Sequence, residues 1–320
     1  MALDHYVSQV HLKNFYSPLL GEAFYAIRKA ELKIFHQSSN GVCRIEENST
    51  NAYLREDRIV EEFLKTIEPR YNSAISELQG SNISADCIYV LAGFVSYVLV
   101  CSPAGMRIQS QPIKALVEET AKLMDAKGSF PAPPPILAGK SLTDLLENGE
   151  IQVKIDPKYP QAIGITGVLS NTKVFGNSTW EILHNPHEDS PFFTSDFPIV
   201  VERARDPRVL NRIVPLAPYL AIRICPSVEL NRETIDSDFA NFHYRRKKLC
   251  RSEVAVINQG IVRCAESIVF SSSNQPWIQK FVARNANFRI EPKTHRVSHG
   301  RGTLMLATQE ISPYSYANTR

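Results

Sequence analysis

The chain has 320 residues, 43% of them hydrophobic and 22% charged, with a formal charge of +3. This composition excludes a disordered, collagen-like or low-complexity protein. The near-neutral total hides an uneven distribution: residues 1–200 hold 17 Lys/Arg against 23 Asp/Glu, and residues 201–320 hold 19 against 10. An acidic front followed by a basic back points to a charged partner.

The length suits one large domain or two ordinary ones. The first residues carry Asp4 and His5 with no basic or apolar leader, so no signal peptide is expected. The longest apolar stretch, from Cys87 to Cys101, is broken by Gly93 and Ser96. It falls short of the roughly 20 residues that span a bilayer, and reads as a buried helix with no membrane contact. None of the cysteines forms a CxxC pair, which leaves zinc-ribbon and thioredoxin-like readings without support. With no export signal, reduced thiols in a cytoplasmic protein are expected.

The near alternation from His5 to Phe15 predicts an extended segment closed by Ser17-Pro18. Glu31 to Phe35 reads as a second strand running into the Ser38–Gly41 turn, with Gly41 to Ile45 after it. Val60, Phe63, Leu64, Ile67, Tyr71, Ala74 and Leu78 form one stripe of a helix over 55–79, which Pro69 breaks near Glu68. Ser84 caps a very apolar helix that stops at Ser102-Pro103. A third helix is predicted from Pro112 to Ala126. Phe130 to Pro135 is an extended, semi-rigid segment. A short helix follows over Ser141–Asn148, and Pro160–Leu169 stays open between helix and strand. Trp180–Leu183, Phe192–Thr194, Pro198–Val201, Ile213–Leu216 and Tyr219–Ile224 read as strands. Helices are predicted over Glu253–Phe270 and Pro276–Arg284, with a last strand at Thr303–Thr308. The order argues for an α+β fold with a helical N-terminal half and a strand-rich C-terminal half carrying late helices. Segments 1–130 and 131–320 are expected to pack as one unit across the proline-rich boundary.

His5-Tyr6-Val7-Ser8-Gln9 followed by Leu12 and Phe15 resembles the opening of a large uncharacterised microbial family, domain-of-unknown-function family 4238. Ile67-Glu68, the apolar helix running to Ser102-Pro103 and Arg107, Trp180, and Thr194-Ser195-Asp196-Phe197-Pro198 resemble further family elements in the same order. Asn258 and Ala265 also fit. Three positions depart from the family pattern: Ser8 replaces a proline, Cys101 an arginine and Phe197 an asparagine. The resemblance implies a shared fold and a shared set of polar motif residues, and supplies no activity.

His5, Glu68 and Asp196 make a workable acid–base or divalent-metal set, with Arg107 able to hold a phosphate. Against this, Thr-Ser-Asp-x-Pro also has the form of a structural Asx turn. His5 equally suits a hydrogen bond inside a buried strand. His184-Asn185-Pro186-His187 reads as a polar surface turn rather than a metal loop. His295 and His299, at i, i+4, offer a weaker metal pair. Arg203, Arg205, Arg208 and Arg212 are close in sequence, and Arg245-Arg246-Lys247-Lys248 is a continuous basic run. Such charge attracts a nucleic-acid backbone, although the run also suits a solvated loop. No Gly-x-Gly-x-x-Gly, Walker or Gly-x-Ser-x-Gly element is present.

The sequence therefore predicts a phosphodiester-cleaving, nuclease-like toxin or defence enzyme. His5, Glu68 and Asp196 are its catalytic candidates. Arg107, Arg245, Arg246, Lys247 and Lys248 are its substrate-binding candidates, and a divalent metal is its possible cofactor. The other reading is a non-enzymatic binding or adaptor protein whose motif residues hold the fold. Self-association of acidic and basic halves is a third expectation.

Overall fold

Short pieces dominate the first fifty residues, as the turn signals there require. The computed structural model describes residues 3–206, 208–230, 235–299 and 302–316. The stretch from His5 to Phe15 is not one strand. Strand β1 (Leu3–His5) is followed by helix α1 (Gln9–Lys13). His11, Leu12 and Phe15 share a helical face, and all three are buried, so core contact overrides the alternating pattern. Strand β2 (Phe24–Arg28) pairs antiparallel with β3 (Ile34–Gln37), and β4 (Arg44–Glu46) pairs with β1.

The long amphipathic stripe breaks at the proline, as expected. Helix α2 (Ile59–Lys65) ends before a single 3-10 turn over Glu68–Arg70, and α3 (Tyr71–Gln79) resumes the stripe. Helix α4 (Ala85–Cys101) is capped by Ser84, whose hydroxyl accepts from Cys87 N at 3.1 Å. Helix α5 (Pro103–Ala126) starts nine residues before the expected Pro112. Ser102 caps it, accepting from Gly105 N at 3.1 Å, and Pro103 sits in its first turn. That pair is a complete start signal, and Pro112 is carried inside the helix. The two helices meet at a 62° bend, and among the described residues no single helix is long and apolar enough to cross a membrane.

Helix α6 (Leu142–Glu147) has the Ser141/Asp144 capping box. The ambiguous stretch after it forms two helices, α7 (Lys158–Thr166) and α8 (Val168–Gly176). Gly164 is there because a Cβ would lie 2.7 Å from Val100 Cγ1, so α7 packs closely on α4.

The strands β5 (Thr179–His184), β6 (Thr194–Ser195), β7 (Val200–Arg203), β8 (Leu210–Ala217), β9 (Leu220–Cys225) and β10 (His243–Lys248) follow. Helix α9 (Arg251–Cys264) stops six residues before the expected Phe270, because Ile268–Ser271 leaves it as strand β11. Helix α10 (Pro276–Asn285) and a two-stranded ribbon, β12 (Phe288–His299) with β13 (Gly302–Pro313), complete the chain. A five-stranded sheet runs β10-β5-β9-β8-β7, parallel only at the β10–β5 pair. A four-stranded sheet runs β3-β2-β11-β6. One apolar cluster runs through both halves, from Phe94 and Val95 of α4 to Trp180 of β5 and Phe270 of β11. The architecture is α+β, with most helices in the N-terminal half. All six cysteines are free thiols.

Candidate functional site

Two of the motif residues line one cleft. His5 at the end of β1 and Glu68 in the turn after α2 both border a space of about 410 Å³, together with Asp4, Gln9, Glu61 and Lys65. The His5 backbone is fixed by pairing with Arg44 on β4 and by Tyr97, whose hydroxyl donates to the His5 carbonyl at 2.5 Å. Burial and the nearby Arg44 charge lower the His5 pKa, against weaker opposite pulls from the Val42 backbone and Asp4. Its Nδ1 is shielded from solvent and meets no partner at hydrogen-bond geometry. The imidazole is therefore mostly neutral at pH near 7 and able to take a proton. Glu68 is held by the Ser8 hydroxyl, which donates to its Oε1. The serine that replaces the family proline is thus the residue that positions this carboxylate.

The rim of the cleft is acidic. Asp4, Glu61 and Glu68 face a single lysine, Lys65, which is itself paired with Glu62 at 2.6 Å. Arg58 lies behind the rim, where it pairs with Glu61 and approaches Asp4 at 3.7 Å.

Asp196 is not in this cleft. It is buried, and its carboxylate accepts from Glu266 N at 2.9 Å, Ser267 N at 2.7 Å, Ser267 Oγ at 2.7 Å and Ile268 N at 3.1 Å. Burial pushes its pKa up to about 6, while the Ser267 bonds and Lys29 oppose the rise. The geometry explains why α9 ends early: Asp196 holds the three amides of the turn that sends the chain into β11. Arg107 joins this second cluster through Glu266. It grips Glu266 in a two-pronged bond of 3.1 and 2.6 Å and reaches Glu291 at 2.8 Å. All three guanidinium nitrogens of Arg107 are thus engaged with carboxylates. The structure brings His5 and Glu68 together, and separately Asp196 and Arg107.

The basic run is the edge strand β10. Arg245 pairs with buried Glu181, which Arg223 also contacts. Burial drives the Glu181 carboxyl up, but the bonds and charges of the two arginines outweigh it and hold its pKa down. Arg246 donates to the carbonyls of Leu78 and Gly80 at the end of α3. Lys247 pairs with Glu253 at 2.6 Å. Of the four, Lys248 alone has no polar partner among the described residues. A row of charges on an exposed edge also blocks pairing with another sheet. Several basic residues of the back half pair with acids of the front half, Arg296 with Glu119 and Arg251 with Asp189 among them. The uneven charge along the sequence is partly balanced inside the fold.

Among the described residues, no three His, Cys, Asp or Glu side chains group closely enough to hold a divalent ion. His184–His187 forms the expected polar turn, with His187 N donating to Asn185 Oδ1 at 3.0 Å. His295 and His299 lie on strand β12, where an i, i+4 pair is separated by roughly 13 Å along the chain. Arg203 pairs with Glu310, Arg208 with Asp206 at 2.6 Å, and Arg212 is buried.

Sequence reasoning missed His11. It is fully buried on α1, with Nδ1 2.8 Å from the Tyr71 hydroxyl and Nε2 2.8 Å from the Thr194 hydroxyl. Its ring stacks on Phe94 at 4.8 Å, and burial drives its pKa down to about 3. The signal that could have found it is Ser8 at a helix-start position, followed by His11, Leu12 and Phe15 at helical spacing.

The family described as "Protein of unknown function (DUF4238)" matches residues 4–275. No curated protein and no solved structure matches the chain.

Proposed function

We propose, for a chain that belongs to the DUF4238 family of proteins of unknown function, that it is a hydrolase working by acid–base catalysis in the His5–Glu68 cleft. One observation carries this reading: two motif residues, 63 positions apart in sequence, border the same solvent-reaching space. His5 takes the proton of an attacking water, the Asp4 carboxylate favours the imidazolium that forms, and Glu68 orients the water from the other side of the cleft. The reading invokes no metal step, because among the described residues no three donor side chains group closely enough to hold an ion. The reading narrows the phosphodiester-cleaving expectation to small substrates. The acidic rim repels a long polyanion, and the β10 basic run is largely committed to internal partners.

A panel of small chromogenic phosphodiesters and carboxylic esters, alongside RNA, tests this in the presence of a chelator. His5→Ala and Glu68→Gln are expected to lower turnover of the responsive substrate by about 100-fold or more. No turnover of any substrate, or turnover in both variants equal to that of the wild type, removes the proposal.

A second reading is favoured by a specific observation: Asp196 and Arg107 spend their hydrogen bonds inside the fold. It makes the protein a non-enzymatic binder. A ligand captured with equal affinity by wild type and His5→Ala, with no turnover, supports it over the first.

A further inference from the structure

Helix α2 stands between two cavities. Glu61, Leu64 and Lys65 border the His5 cleft, while Ile59, Glu62 and Phe63, on the opposite face, border another space of about 530 Å³. Its remaining walls come from the segment before α2, from Tyr89 of α4, and from α7 and α8. The floor is apolar: Val60, Phe63, Ile165 and Val168 line it, and all four are buried. At the mouth, Ile59 is 43% exposed and Leu169 53%. A concave space of this size, with mostly apolar walls and a few polar groups, has the form of a small-molecule site.

The polar groups around it decide what kind of molecule fits. The charges in the lining balance: Arg55 is followed by Glu56, and Glu62 pairs with Lys65 at 2.6 Å. The floor itself carries no charged side chain, so a carboxylate or an ammonium entering it would lose water without gaining a counter-charge. The least engaged donor is the Tyr89 hydroxyl. It lies 3.3 Å from Thr66 Oγ1, longer than an ordinary O–H···O bond, and the Thr66 hydroxyl itself donates to the Phe63 carbonyl at 2.7 Å. Thr166 likewise donates to the Ile163 carbonyl at 2.7 Å. A single available donor beside an apolar floor suits an acceptor oxygen on an apolar body.

We propose that this cavity binds an uncharged, mainly apolar small molecule with one acceptor oxygen, of the class of long-chain ketones and esters. The apolar body lies on Val60, Phe63, Ile165 and Val168 and takes Ile59 and Leu169 out of water, while Tyr89 donates to the oxygen. The cavity shares no lining residue with the His5 cleft, and the inference is independent of the hydrolase reading.

Fluorescence titration of the full chain with N-phenyl-1-naphthylamine, an uncharged apolar dye that brightens when it leaves water, tests it. The expected result is saturable binding that decan-2-one displaces, with decanoate and decylammonium each weaker competitors by about tenfold or more. Thr166→Trp and Leu169→Trp each add a ring at an exposed position of the lining, and each is expected to weaken dye binding about tenfold or more with Tm kept. Tyr89→Phe should weaken decan-2-one about fivefold and leave the dye unchanged. His5→Ala should bind the dye as the wild type does; a loss there would put the dye in the other cleft and overturn the proposal. Absence of saturable binding, tryptophan variants that bind like the wild type, charged chains that compete as well as the ketone, or an unchanged ketone affinity in Tyr89→Phe would overturn it too.

Discussion

Lowering the pH should destabilise the fold through one residue, His11. Its imidazole sits among Tyr71, Phe94 and Thr194 with no carboxylate beside it, and burial holds its pKa near 3 against an ordinary value of 6.5. Between those values the unfolded chain binds a proton at this position and the folded chain does not, so stability falls as pH falls. Above about 6.5 both states are neutral and the contribution is complete. Each unit below that removes about 1.4 kcal/mol, or about 2 kcal/mol at pH 5. Urea unfolding at about pH 7 and about pH 5, for wild type and His11→Gln, measures it. The variant starts less stable, because one buried hydroxyl loses a partner. Its loss between the two pH values should be smaller than wild type's by about 2 kcal/mol. Other titrating groups, Asp196 included, are common to both proteins and drop out of the comparison. An identical pH dependence in the two would refute the reasoning.

Asp196→Ala removes the acceptor of three part-buried amides and should cost about 2–4 kcal/mol in urea unfolding; a loss under about 1 kcal/mol would mean the turn is held otherwise. Gly93→Ala places a methyl 2.6 Å from Ile67 Cδ1 and 3.2 Å from Phe63 Cζ, so we expect about 1–3 kcal/mol of destabilisation, read as a drop in Tm. Lys248→Ile on the exposed β10 edge should raise light scattering at high concentration while shifting Tm by less than about 4 °C. Unchanged scattering would separate the basic run from edge protection.

The parts of the fold that the sequence announced are those set by local chemistry. Ser84 before an apolar run, Ser141 before a short helix, and Pro69 inside a stripe each act within one turn of chain, and each appears where expected. The misreadings share a different cause. His5–Phe15 alternates well enough for a strand, but Leu12 and His11 are claimed by a core assembled from α3, α4 and β6. The end of α9 is decided by Asp196, some 70 residues upstream. The basic run looked like a loop because charges dominate it. As a sheet edge, β10 needs no apolar face to be paired through its backbone. The candidate site was half legible: the motifs picked His5 and Glu68, yet only the path of the chain around Pro69 shows that they share a cleft while Asp196 does not.

The pairing of β2 with β11 has a consequence for how the molecule is made. Residues 24–28 find their partner strand only at 268–271, about 240 residues later. At ribosomal rates that separation corresponds to roughly 10–50 s of elongation, during which β2 has only β3 beside it. Phe24, Ala26 and Ile27, all buried in the finished sheet, stay uncovered on one edge through that interval. The nascent chain therefore spends most of its synthesis with an open, apolar strand edge, the kind of surface that chaperones shield and that aggregation exploits. Chains cut short anywhere before β11 leave that edge permanently unpaired.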